Sequence, residues 1–125
     1  MGLVSSSREG VVTVVADGDF DFADVRDVFS AICSSHVGSE LLLVLIDDRA
    51  SNFNPDTPTL RRMVDLWSGL SAEVPSRIAL LATREVHFGI GRMVQAFSEN
   101  RPLQFAVFSD DTKALAWLRR KETAS

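Results

Sequence analysis

Residues 41–48 read LLLVLIDD, six aliphatic side chains in a row followed by two aspartates. An unbroken aliphatic run fits a strand covered on both faces, as at the centre of an α/β sheet. It is far shorter than the ~20 residues a membrane helix needs. Asp47 and Asp48 are expected to stop the strand, and residues 49–56, rich in Asn, Ser and Pro, to form a loop.

Upstream, residues 11–16 (VVTVVA) are β-branched and apolar and read as another strand, ended by Asp17, Gly18 and Asp19. Asp21 is a good N-cap with Asp24 three residues on, and Val25, Val28, Phe29 and Ile32 follow at helical spacing. Residues 34–39 close that helix. Downstream, Thr57 caps a second helix with Pro58 at its first position, where the missing N–H costs nothing. Its stripe is Leu60, Met63, Val64 and Trp67. Residues 78–82 form a third core strand, and Val86, Ile90, Met93, Val94 and Phe97 form a third helical stripe. Residues 103–108 make a fourth strand. Asp110 or Asp111 caps a last helix carrying Ala114, Leu115 and Leu118, and residues 119–125 read as a solvated tail. Strands and helices alternate, which predicts an α/β sheet with parallel neighbours and crossover helices. Periodicity leaves the strand order open. Residues 41–46 are expected at the sheet centre with residues 78–82 beside them. Val25, Phe29, Ile32, Met63, Trp67, Met93 and Phe97 are expected in the core.

The 125 residues suit a single domain spanning 1–125, and 46% apolar content is enough for one core without a disulfide or metal staple. A net charge of −4 argues against a nucleic-acid groove and against an anionic membrane surface. Cys33 is the single cysteine, so no intrachain disulfide forms, and a reducing, cytoplasmic setting is expected. The opening MGLVSSSREG lacks the pattern of a signal peptide. Gly2 and Ser6 fit the loose myristoylation pattern, but a polar leader accounts for them as well.

Open α/β sheets place their sites beyond the carboxyl ends of the strands. Asp17, Asp19, Asp47, Asp48, Thr83, Glu85, Asp110 and Asp111 lie there. Such carboxylates suit Mg²⁺, and Asp17, Asp47 and Thr83 follow the order of a phosphoacceptor receiver. Strand-ending and helix-capping are the simpler account, and the receiver's fifth strand with its Lys-Pro is missing. Cys33 and His36 stand three apart on one helix but read as a core thiol and a helix-end polar residue. His87 is expected exposed at the start of the third helix. There Gly89, Gly91 and Arg92 offer either an anion-binding helix terminus or close packing on the sheet. No complete catalytic motif, cofactor motif or metal-binding motif is present, so no enzyme is expected and no cofactor.

Residues 77–118 carry Phe88, Gly89, Arg92 and Met93, then Val107 and Phe108, then Ala114, Trp117 and Leu118. This series resembles the SpoIIAA-like branch of the STAS-like superfamily, a set of uncharacterised bacterial proteins. The resemblance implies an α/β fold with a four- to five-stranded mixed sheet, about four helices mainly on one face, and an extra antiparallel strand near residues 3–7. The superfamily's best-known members are anti-anti-sigma factors that bind a kinase and are phosphorylated in an Asp-Ser-Ser-Gly loop. Only Asp56 and Thr57 stand for that Asp-Ser pair here; the Gly is absent and Pro58 follows, so capping accounts for Thr57 better.

The expected function is a non-catalytic binding or regulatory module, its partner, a protein or a small ligand, left open by the sequence. The alternatives are a carrier or sensor for a small apolar or anionic ligand, and a Mg²⁺-dependent phosphotransfer domain. The binding face is expected to comprise Asp47, Asp48, Phe53, Thr57, His87, Gly89, Gly91 and Arg92, with free N–H groups across residues 87–91. A homo-oligomer is also expected, because residues 103–108 leave a bare edge that Trp117 can help cover.

Overall fold

The computed structural model describes residues 2–38 and 40–120. The predicted helix closure at Ser39 and the tail beyond residue 120 lie outside the described residues. The elements are β1 (Gly2–Arg8), β2 (Val11–Gly18), α1 (Phe22–Ser35), β3 (Leu42–Ser51), α2 (Thr57–Glu73), β4 (Ser76–Leu81), α3 (Glu85–Phe97), β5 (Gln104–Phe108) and α4 (Asp111–Arg119). The five strands form one sheet in the order β1-β2-β3-β4-β5, antiparallel at the first pair and parallel thereafter. β3 is therefore central, with β4 beside it, as its apolar run requires.

The sheet grows by one strand at a time in one direction. Each right-handed crossover then lands its helix on the same face. Val14, Val44, Ile46, Ile78, Leu80 and Phe105 meet α1–α3 on that face, in a core with Phe29, Met63 and Trp67. The alternate residues Val11, Leu45, Ala79 and Leu81 face the other way and are covered by Ala114 and Leu118 of α4. Every residue of β4 is buried, since both faces are covered there.

The polar leader is mostly strand. Arg8 pairs with Val11, so the β1–β2 hairpin turns on two residues, Glu9 (φ +52°) and Gly10 (φ +82°). Two positive φ values mark the turn whose twist matches antiparallel strands, and glycine adopts one of them without strain.

Three boundaries differ from the sequence reading. β2 continues through Asp17 to Gly18. β3 runs past Asp47 and Asp48 to Ser51, and Asn52 still donates to the Gly18 carbonyl at 2.8 Å. Backbone pairing is indifferent to charge where each side chain finds a partner. The cap of α2 is Asp56 rather than Thr57, its carboxylate accepting from the Thr59 N–H at 2.9 Å. Pro58 keeps its place in the first turn.

Two core expectations also change. Met93 is 38% exposed and Val86 is 54% exposed. The fully buried residues of α3 are His87, Gly91 and Val94; Val94 is where the sequence puts it, but His87 and Gly91 take the places expected for Val86 and Met93, because a glycine is the residue seated against the sheet. Phe97 is half-buried, with the Arg61 guanidinium 4.3 Å above its ring.

Candidate functional site

The site begins where β3 outruns β4. Between the pairs Val15–Asp47 and Asp17–Ala50, β2 advances two residues and β3 three, so β3 carries a bulge at Asp48–Arg49. Strand alternation sends the two aspartates to opposite faces. Asp47 lies on the α4 side and is taken by Arg49, which donates from Nε at 2.9 Å and from a terminal nitrogen at 2.8 Å. Those hydrogen bonds hold its carboxyl below the ordinary range. Asp47 and Asp48 do not form one acidic pair.

Asp48 turns beneath the helices and is buried. Its Oδ1 accepts from Ser51 Oγ at 2.5 Å, and Ser51 Oγ in turn accepts weakly from the Phe53 N–H at 3.4 Å. His87 Nδ1 lies 3.5 Å from Asp48 Oδ2, too long for a good N–H···O bond. Burial pushes the Asp48 carboxyl up; the Ser51 bond and the charges of His87 and Arg84 oppose this, and Asp47 adds to it.

His87 is thus the main correction. It is 2% exposed rather than at the surface. α3 begins at Glu85 with Arg84 as N-cap, which places His87 on the inward side of its first turn. The N–H groups expected to be free across residues 87–91 are mostly engaged. Phe88 already donates to the Arg84 carbonyl at 2.9 Å, so the helical ladder includes residues 88–91. Gly91 serves packing: a Cβ there would lie 2.7 Å from Val107 Cγ2 and 2.9 Å from Leu80 Cδ2. Gly89 faces open space, and Arg92 and Thr57 are exposed.

Beneath the helices lies a cavity of about 50 Å³. Asp48 is the one charged residue on a wall otherwise made of apolar groups such as Val14, Phe29, Ile46, Met63 and Trp67. Among the described residues, Trp67 Nε1, Ser68 Oγ and His87 Nδ1 are buried without a hydrogen-bond partner. Outside it runs a surface groove of about 460 Å³, bordered by Asp19, Asp21, Asn52, Asn54, Asp56 and Thr59. Phe20 and Phe53 border both spaces and stack with ring centroids 4.5 Å apart. Phe53 therefore folds back over the core rather than standing free.

Phe20, Ser51 and Trp67 join the site without having been singled out for it. Phe20 had a readable signal, an aromatic residue immediately before the Asp21–Asp24 capping box, where a hydrophobic staple is placed. The pairing of Ser51 with Asp48 had none, because it depends on the bulge. Cys33 and His36 take no part. The Cys33 thiol is pushed up by burial and by the Glu73 charge, and His36 Nε2 lies 2.7 Å from the Glu40 carbonyl oxygen. Among the described residues no three His, Cys, Asp or Glu side chains gather as a metal site would need.

No protein-family model and no curated protein matches the sequence. Solved structures do match the fold. An uncharacterised protein of the DUF3478 family with a SpoIIAA-like fold, from Shewanella loihica PV-4, superposes with a TM-score of 0.63 at 19% identity, over 94% of this chain and 92% of that one. An anti-sigma factor antagonist from Mycobacterium paratuberculosis gives a TM-score of 0.66 at 13% identity, over 94% and 93% of the two chains. The fold is SpoIIAA-like, a mixed five-stranded sheet with four helices.

Proposed function

We propose that this chain is a non-catalytic, cytoplasmic regulatory module that binds a protein partner through residues 52–59 and the outer side of α3. The observation that carries the reading is an apolar strip on α3. Val86 and Met93 stand two turns apart on the solvent side, with Gly89 between them leaving open space. Ile90 and Phe53 border the same cavity, so α3 and the loop are neighbours. Exposed apolar groups beside a polar groove suit a protein surface better than water. An anti-sigma factor antagonist with this fold lends support, because regulators of that kind act by binding proteins. Among the described residues no helix is long and apolar enough to cross a membrane.

The test is a photo-crosslinking amino acid at position 93, with position 72 on the exposed side of α2 as control, in growing cells. A discrete protein adduct from position 93 that disappears in a Val86→Glu background is expected. Adducts from position 72 alone, or the same adducts from both, overturn the proposed face.

A further inference from the structure

The sheet has two edges, and they are unequal. β5 is five residues long and follows Pro102, whereas β1 runs seven residues with no proline and no lysine. Its register with β2 is unbroken. Edge strands are ordinarily blunted by shortness, proline, lysine or a bulge, because a row of unpaired N–H and C=O groups invites another strand. β1 has none of these guards. The two-residue turn makes Arg8 and Val11 a hydrogen-bonded pair, so the backbones of Gly2, Val4, Ser6 and Arg8 bond inward to β2. Leu3, Ser5 and Ser7 therefore point their N–H and C=O groups outward, and Ser5 and Ser7 are exposed. α1 leaves room beside the edge: a surface groove of about 490 Å³ runs past Gly2 and Leu3, bordered by Asp24, Asp27, Val28 and Ala31 of that helix.

Charge is divided along the same edge. Arg8 stands at one end, where its neighbour Glu9 is taken by Arg119 at 3.7 Å. At the other end lie Asp17, the cross-strand partner of Gly2, and Asp19, Asp24 and Asp27 around the groove. Among the described residues neither Arg8 nor Asp17 forms an ion pair within the chain. A strand with a cation at one end and carboxylates at the other complements its own antiparallel copy, in which the ends change places. Apolar groups add to this. Val4 and Val15 are cross-strand partners, both exposed, on the face of the sheet away from α1.

We propose that β1 is the docking edge for a second copy of this chain, the two β1 strands pairing antiparallel about a two-fold axis at Ser5. In that register Ser5 meets Ser5 of the second copy, Leu3 meets Ser7, Val4 meets Ser6 and Gly2 meets Arg8. Only registers that pair Leu3, Ser5 and Ser7 among themselves satisfy the outward groups, and this one uses the whole strand. Gly2 has no side chain, so Arg8 of the second copy passes over it to Asp17, across a backbone separation of about 10 Å that an extended arginine spans. The two-fold axis makes this contact twice. The Val4 side chains lie diagonal across the axis and join the Val15 side chains in one apolar patch. α3 packs on β5 at the far edge, so its outer side stays open in both copies. The dimer thus presents two copies of that helix face on one rigid sheet.

The experiment uses the untagged full chain. Sedimentation equilibrium over a concentration series should give a monomer–dimer equilibrium with a midpoint of about 10 µM, as suits a small two-fold interface. Amide exchange should slow with rising protein concentration at Leu3, Ser5 and Ser7 and not at residues 104–108. Ser5→Pro, tolerated on an edge strand, removes the central outward donor and should leave a folded monomer. Arg8→Glu and Asp17→Arg should each weaken the dimer by roughly tenfold or more, and the double variant should restore it. Both positions are exposed, so the single variants keep the native fold. A single-chain mass at every concentration, a dimer indifferent to Ser5→Pro, protection that grows at residues 104–108 instead of β1, or a double variant no tighter than the single ones overturns the proposal.

Discussion

Single residues at this site show how position decides the sign of a substitution. Gly89 and Gly91 lie two apart on one helix and have opposite surroundings. A methyl at Gly91 would press on Val107 Cβ at 2.9 Å, an atom fixed to a β-branched backbone position that cannot swing away. Gly91→Ala is expected to destabilise by about 1–3 kcal/mol through overpacking. Gly89→Ala meets nothing within 4 Å. It should stabilise by about 0.5–1 kcal/mol, because alanine loses less backbone freedom in a helix. Denaturant midpoints of the two variants moving the same way would refute the pairing. Asp48 supplies a second expectation. Its carboxyl is raised by burial, so the folded chain holds that proton more tightly than the unfolded chain does. Its contribution to stability therefore falls as pH rises from the ordinary carboxylate range through the raised value. Asp48→Asn lacks that loss and can still accept from Ser51. The stability of Asp48→Asn relative to the parent should grow from acid toward neutral pH. A difference that is flat, or that shrinks, across urea titrations at several pH values contradicts a buried, raised carboxyl.

Elements were legible where a local rule governs them. The capping box of α1 was written in Asp21 and Asp24, and each carboxylate accepts the other's backbone N–H at 3.0 Å. Asp21→Ala should cost about 1 kcal/mol, read from the denaturant midpoint. It should also raise hydrogen exchange in the first turn of α1 more than in α2, whose cap is Asp56. Equal exchange in both helices would place the effect elsewhere. The central strand, its neighbour and three helical stripes were legible for the same reason: burial repeats with the period of the element. The end of β3 was not. Charged residues at 47–49 ordinarily mark a turn, and here Arg49, Ser51 and the bulge let the strand absorb them. The stripe of α3 was legible at Ile90, Val94 and Phe97 but not at His87 and Gly91, because hydrophobicity ranks valine and methionine above histidine and glycine. Close approach to Leu80 and Val107 instead demanded the smallest residue, and that choice carried His87 inward beside Asp48. The candidate site was thus only half readable: its place at the ends of the strands followed from topology, while its polar core followed from packing that no short-range pattern encodes.

At the scale of the molecule the two faces of the sheet are unequal, and one residue bears much of the difference. Three long helices cover the first face, whereas among the described residues only the nine-residue α4 covers the second. A helix so short is marginal by itself and relies on its contacts. Arg77, a charged residue at the start of β4, is 1% exposed. It stands on the α4 side of β4 and reaches the end of that helix, donating to the carbonyls of Leu118 at 3.0 Å and Arg120 at 2.8 Å, and to Gln104 Oε1 at 3.2 Å. A cation there bonds carbonyls at the helix end and complements the negative end of the helix dipole. Trp117, half-buried, lies over Phe108 with centroids 5.8 Å apart, which favours its role as a cover for β5 over that of a free anchor. These contacts make α4 a separate unit docked on a sheet that α1–α3 already stabilise. Arg77→Met keeps the length and apolar stem but removes every donor. It should cost about 1.5–3 kcal/mol, the range for hydrogen bonds from a charged group. The loss should be local first: amide exchange in α4 should accelerate well before that of α1 and β3, as expected for the least supported part of a fold. Uniform acceleration across all elements would mean that α4 unfolds only with the whole domain, and that Arg77 supports the sheet itself rather than the helix docked on it.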